Sequence, residues 1–113
     1  MDMRPVPGTQ KRRFPRYPAD LPIQVTAVRG NRRETAAGRM LDVSEGGLSF
    51  VGGRYLPPDT VVFVEFLECR LSGRVRHCRL REYASRVEFV TGVEIEQVIN
   101  GVNWWKDLRR SAG

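Results

Sequence analysis

The chain has 113 residues, room for one compact domain with a modest core and too few for a catalytic domain beside a regulatory one. Nineteen basic against 13 acidic residues give a formal charge of +6, which favours an anionic partner such as a nucleotide, a nucleic acid or an acidic surface. No apolar run reaches the roughly 18 residues of a membrane span and the start lacks a signal-peptide layout, so the expectation is a cytoplasmic protein with no membrane insertion.

Residues 1–11 contain Pro5, Pro7 and Gly8 and no apolar period, which predicts a flexible N-terminal arm. A single domain is expected over 12–113. From Leu21 the pattern changes to short β-type runs bounded by Gly, Pro, Asn, Asp or Ser: Leu21 to Val28, Thr35 to Val43, Leu48 to Val51, Thr60 to Phe66, Cys69 to Leu80 and Ser85 to Glu96. Ile23, Val25 and Ala27 alternate with polar neighbours, as in a half-buried strand. Six such runs predict an all-β chain, a small six-stranded antiparallel barrel over about residues 21–96.

Gly52-Gly53 and Pro57-Pro58-Asp59 separate runs that cannot continue through them. Leu67-Glu68 reads as a tight link and Arg81 to Ala84 as a looser one. A short C-terminal helix is expected over about 103–110, capped by Asn103, with Arg109 and Arg110 near its negative pole. Trp104 and Leu108, with Trp105 as a further candidate, are expected to dock on the barrel.

Two short constellations carry the chemistry. Arg12-Arg13-Phe14-Pro15-Arg16 precedes the first strand, and Asp42-Val43-Ser44-Glu45-Gly46-Gly47 lies at the tip of the second. Arginine forks bind phosphate oxygens and the guanine O6/N7 edge in bidentate fashion, so these residues are the parts of a grip on a phosphate-bearing guanine ligand. Seventeen of the 19 cations are arginine, which suits planar recognition better than loose attraction.

On these residues the chain resembles the PilZ domain family, the bacterial receptors for cyclic di-GMP, as a single-domain member. The resemblance rests on R-x-x-x-R at Arg12 and Arg16, on D/N-x-S-x-x-G at Asp42, Ser44 and Gly47, and on Gly92-Val93-Glu94-Ile95, which looks like that family's final strand. The arginine spacing recurs at Arg29/Arg33 and Arg70/Arg74, but only the first pair lies on a proline-containing arm upstream of a strand.

The resemblance implies that Arg12 and Arg16 bind the phosphates and guanine edges of cyclic di-GMP, with their planes free to stack on the bases. Asp42 can accept from guanine N1–H and the N2 amine, donors adenine does not offer together, or it can bond its own backbone in a turn. Ser44 can offer its hydroxyl to the ligand or close a turn. Gly46 and Gly47 are expected to supply positive φ, for close ligand approach or for a tight turn. Arg13 and Lys11 flank the clamp and raise the local potential.

His77 and Cys78 are adjacent, so on a strand they face opposite ways and cannot share a metal or act as nucleophile and base. Cys69 and Cys78 have no metal-type spacing and read as free thiols. With no nucleophile motif, P-loop or paired carboxylates, the expectation is a non-enzymatic receptor without cofactor, whose arm orders over cyclic di-GMP and signals to an unidentified downstream protein. The alternatives are a PilZ-like protein-binding scaffold that takes no nucleotide, and a general nucleic-acid-binding barrel. Few strand aromatics are placed to stack successive bases, which weighs against nucleic acid.

Overall fold

The computed structural model describes residues 17–112. Six strands follow in chain order: β1 (Tyr17–Arg29), β2 (Arg32–Val43), β3 (Gly47–Gly52), β4 (Val61–Phe66), β5 (Cys69–Tyr83) and β6 (Arg86–Asn100), followed by helix α1 (Val102–Ala112). All six expected strands are present. They pair antiparallel in the order β1-β2-β3-β6-β5-β4, and β4 returns to β1 to close the ring. The sheet therefore has no free edge along its central rows, the usual solution for a small all-β domain.

The core follows from two-residue alternation. Ile23, Val25 and Ala27 of β1, Val62, Val64 and Phe66 of β4, and Leu71 and Val75 of β5 face inward and are buried. Met40 and Val43 of β2, Leu48 and Phe50 of β3, and Val93 of β6 complete the same cluster. Burying each such side chain contributes about 1.5–3 kcal/mol.

Three hairpin turns set the register. Gly30-Asn31 joins β1 to β2, with Arg29 opposite Arg32 and Gly30 at φ 60°. Leu67-Glu68 joins β4 to β5 with Leu67 at φ 51°, the tight link expected. The β5–β6 connection corrects the sequence reading. Instead of a loose link from Arg81, β5 continues to Tyr83 and turns on Ala84 and Ser85 alone, both at positive φ, as a two-residue turn of matching twist requires. Arg81 belongs to the ladder because it faces Glu88, with Nη2 donating to Oε2 at 2.8 Å.

Helix α1 starts one residue earlier than expected. Gly101, at φ 77°, occupies the cap, and its carbonyl accepts from the Trp105 N–H at 3.0 Å. Asn103 lies inside the first turn. A Cβ at position 101 would overlap the Glu68 carbonyl oxygen, so both conformation and space demand glycine there. The docking side chain is Trp105, 4% exposed, which meets Phe66 edge-on at 6.3 Å between ring centroids. Leu108 packs beside it, while Trp104 is 46% exposed and donates its indole N–H to Glu68 at 3.2 Å. One end of the ring is thus covered by Trp105, and the other by Leu56 from the β3–β4 connection.

Removing the buried indole leaves a cavity, whereas removing the exposed one does not. Trp105→Ala should lower unfolding free energy by about 3–5 kcal/mol and Trp104→Ala by no more than about 0.5 kcal/mol, measured by urea denaturation. Equal losses would overturn this assignment.

Candidate functional site

The second motif sits where three strands meet. β2 carries a bulge between Met40 and Asp42, so that Met40 and Val43 both face the core while Asp42 faces outward, half-buried, opposite Ser49. On its other side Asp42 pairs with Pro18, and Val43 with Tyr17. The first residues of β1 therefore run alongside the motif.

The tip from Ser44 to Gly47 is tied down by its own backbone. The Ser44 N–H donates to the Gly47 carbonyl at 2.8 Å, and the Ser44 hydroxyl donates to the same oxygen at 3.3 Å. Ser44 is 5% exposed and so closes the turn. The Gly46 carbonyl accepts from the Ile95 N–H at 2.9 Å, which fastens the tip to β6.

The expected reason for the glycines is corrected at this point. Positive φ is found at Gly30 and Gly101 among the glycines of the described residues, and Gly47 is a strand residue paired with Glu94. What Gly47 supplies is space, because a Cβ on it would overlap the Val93 carbonyl oxygen. Close approach of two strands, rather than turn conformation, excludes a side chain.

Asp42, Ser44, Gly46 and Gly47 thus come together on one tip, supported by β6. Arg12, Arg13 and Arg16 lie outside the described residues. By sequence Arg16 immediately precedes Tyr17, the residue paired with Val43.

Several arginines that share the chain's bias are engaged elsewhere. Arg74 faces Glu96 at 3.0 Å, Arg76 faces Glu94 at 3.1 Å, and Arg39 pairs with Asp20. These exposed pairs stabilise by about 0–1 kcal/mol each, but they offset much of the positive field over the strands. Arg33 and Arg70 lie over the Phe63 ring at 5.6 and 5.0 Å.

His77 and Cys78 diverge as their adjacency predicts. Cys78 Sγ lies 3.2 Å from the Thr91 hydroxyl and accepts from the Leu56 N–H at 3.4 Å, whereas the imidazole of His77 lies over Gly92 on the outer face. Burial pushes the Cys69 thiol above its ordinary value, away from this site. Among the described residues no cluster of three His, Cys, Asp or Glu is placed to hold a metal, and no helix is long and apolar enough to cross a membrane.

Two features of the site escaped the sequence reading: the pairing of Ser49, 6% exposed, with Asp42, and the seat that Gly92 makes for His77. Gly92-Val-Glu-Ile was legible as a strand, but its cross-strand neighbours are not written in local spacing.

The fold is shared with solved structures. MrkH from K. pneumonia in complex with c-di-GMP superposes with a TM-score of 0.63 at 13% identity, over 88% of this chain and 50% of that one. The Bacillus subtilis inhibitor of motility, MotI/DgrA, gives 0.62 at 14% identity, over 91% and 49%. The chain therefore spans about half the length of these two proteins. The PilZ domain of YcgR from Escherichia coli with c-di-GMP gives 0.54 at 16% identity, over 91% and 89%. No curated protein matches the chain. The family model for the PilZ domain matches residues 10–104, so that both arginine and aspartate motifs fall inside it, and the chain belongs to the PilZ domain family.

Proposed function

We propose that this protein is a non-enzymatic, cytoplasmic cyclic di-GMP receptor, in which the segment carrying Arg12, Arg13 and Arg16 folds over ligand held against the Asp42–Gly47 tip. The observation that carries the reading is the pairing of Tyr17 with Val43 and Pro18 with Asp42, which brings the chain that follows Arg16 to the aspartate motif. Guanidinium forks and a carboxylate delivered to one place can hold phosphate and the guanine edge together.

Charge distribution supports the same reading. Residues 1–16 hold five of the nineteen cations and one of the thirteen acids, a surplus of four out of a net six. The remainder of the chain is close to balanced, and many of its arginines face carboxylates, which disfavours a nucleic-acid track along the strands. Two of the structural neighbours were solved with c-di-GMP, on the same fold.

Ser44 acts in this scheme through the backbone as well as by its hydroxyl. With its own N–H and Oγ–H directed at the Gly47 carbonyl, it holds the tip in the shape that presents Asp42. Ordering of the arm on binding is the signal, since it creates a new surface for a downstream protein to read.

Calorimetric titration with cyclic di-GMP should give saturable heat. Arg16→Ala and Asp42→Ala should each weaken binding by roughly 5- to 150-fold, the cost of about 1–3 kcal/mol for one bidentate contact. Silence at high micromolar ligand would overturn the receptor reading and leave a protein-binding scaffold. The arm makes a separate prediction: limited proteolysis should cleave within residues 1–16 in the ligand-free protein, and saturating cyclic di-GMP should slow that cleavage. Cleavage at an unchanged rate would refute the ordering step.

A further inference from the structure

The aspartate motif is one end of a longer row. Across four strands the pairing runs Asp42 on β2, Ser49 on β3, Gly92 on β6 and His77 on β5, with half-buried Asp42 and exposed His77 at the ends and Ser49, 6% exposed, and Gly92 buried between them. Three strand spacings separate its ends, roughly 14 Å from backbone to backbone. The row is low in the middle, where serine and glycine stand, and tall at its ends.

His77 faces outward because β5 bulges between Val75 and His77. Val75 is buried in the core, Arg76 is absorbed by the bulge, and Cys78 returns to the interior against Thr91. The imidazole then leans back along the row. Its Nε2, Cε1 and Cδ2 occupy the space that a Cβ on residue 92 would need, so glycine at this position gives the ring its seat. The lean shortens the gap between the ring and Ser49, and Ser49 is the direct neighbour of Asp42.

The next outward row has the same form. Val51 and Val90 make its floor on β3 and β6, with Arg39 and Arg79 at its ends on β2 and β5. Both rows therefore frame a shallow strip across the two central strands, polar on either side.

We propose that His77, seated on Gly92, is a ligand-contacting residue that extends the site from Asp42 across β3 and β6 onto β5, where its imidazole stacks on a purine ring of the dinucleotide. The inference rests on the receptor reading above. Imidazole planes stack on exposed nucleobases through the ring face. His77 is a surface side chain, so its removal tests binding without removing a core contact.

Wild type, Arg16→Ala and His77→Ala should be titrated with cyclic di-GMP, and the wild-type imidazole followed by NMR during the titration. The chain has one histidine, so its Cε1–H signal is unambiguous. His77→Ala should weaken binding by about 5- to 150-fold, the range for one stacked base, and the imidazole signal should move with ligand. Gly92→Ala, which displaces the ring while keeping it in the chain, should weaken binding in the same direction. Unchanged affinity in His77→Ala together with an unmoved imidazole signal would overturn the proposal while leaving the receptor reading intact. Absence of binding by wild type would instead overturn the receptor reading, and this inference with it.

Discussion

The whole arrangement depends on how closely β6 is flanked by its two neighbours. Gly47 on β3 and Gly73 on β5 lie on either side of the Val93–Glu94 segment, and a Cβ on either glycine would overlap a β6 carbonyl oxygen. Because no side chain intervenes, β3 and β5 both draw tightly onto β6, and six strands suffice to close the ring around a core of mostly aliphatic side chains. The same approach fastens the motif, since Gly46 and Gly47 meet β6 through the Ile95 N–H and the pairing with Glu94. Closure of the fold and rigidity of the tip are one event.

Bulges convert this closed ring into a directed surface. Without the irregularity between Met40 and Asp42, the two-residue period that buries Met40 would place Asp42 inward with it. The bulge between Val75 and His77 does the same for the imidazole on β5. Two insertions on separate strands therefore turn polar side chains onto the same outer face, with Ser49 and Gly92 between them. The core loses no side chain in the exchange, because Val43 and Cys78 resume the inward position after each bulge.

Charge is divided unevenly between the strands and the segment that precedes them. The strand arginines are matched by carboxylates across neighbouring strands, while the excess is concentrated before β1. In the reading proposed above, an anionic ligand is needed to bring that excess against the domain, so binding and arm ordering are coupled by electrostatics.

Much of the fold was legible in local sequence because its signals are local. Alternation in Ile23, Val25 and Ala27, the breaks at Gly52-Gly53 and Pro57-Pro58, and the tight Leu67-Glu68 link all act within a few residues, and the strands formed where those signals placed them. Errors arose where a distant partner decides. Gly101, not Asn103, begins the helix because the Glu68 carbonyl leaves no room for a side chain, and Trp105 rather than Trp104 docks because Phe66 lies on its side. The aspartate motif was likewise visible as a set of residue types, but the reason for its glycine was not, since Val93 is far away in sequence. By itself the sequence determined the number of strands and the family pattern. Tertiary structure alone decided which side chains share a face, because a single bulged residue inverts every later position on its strand and only cross-strand pairing reveals where it falls.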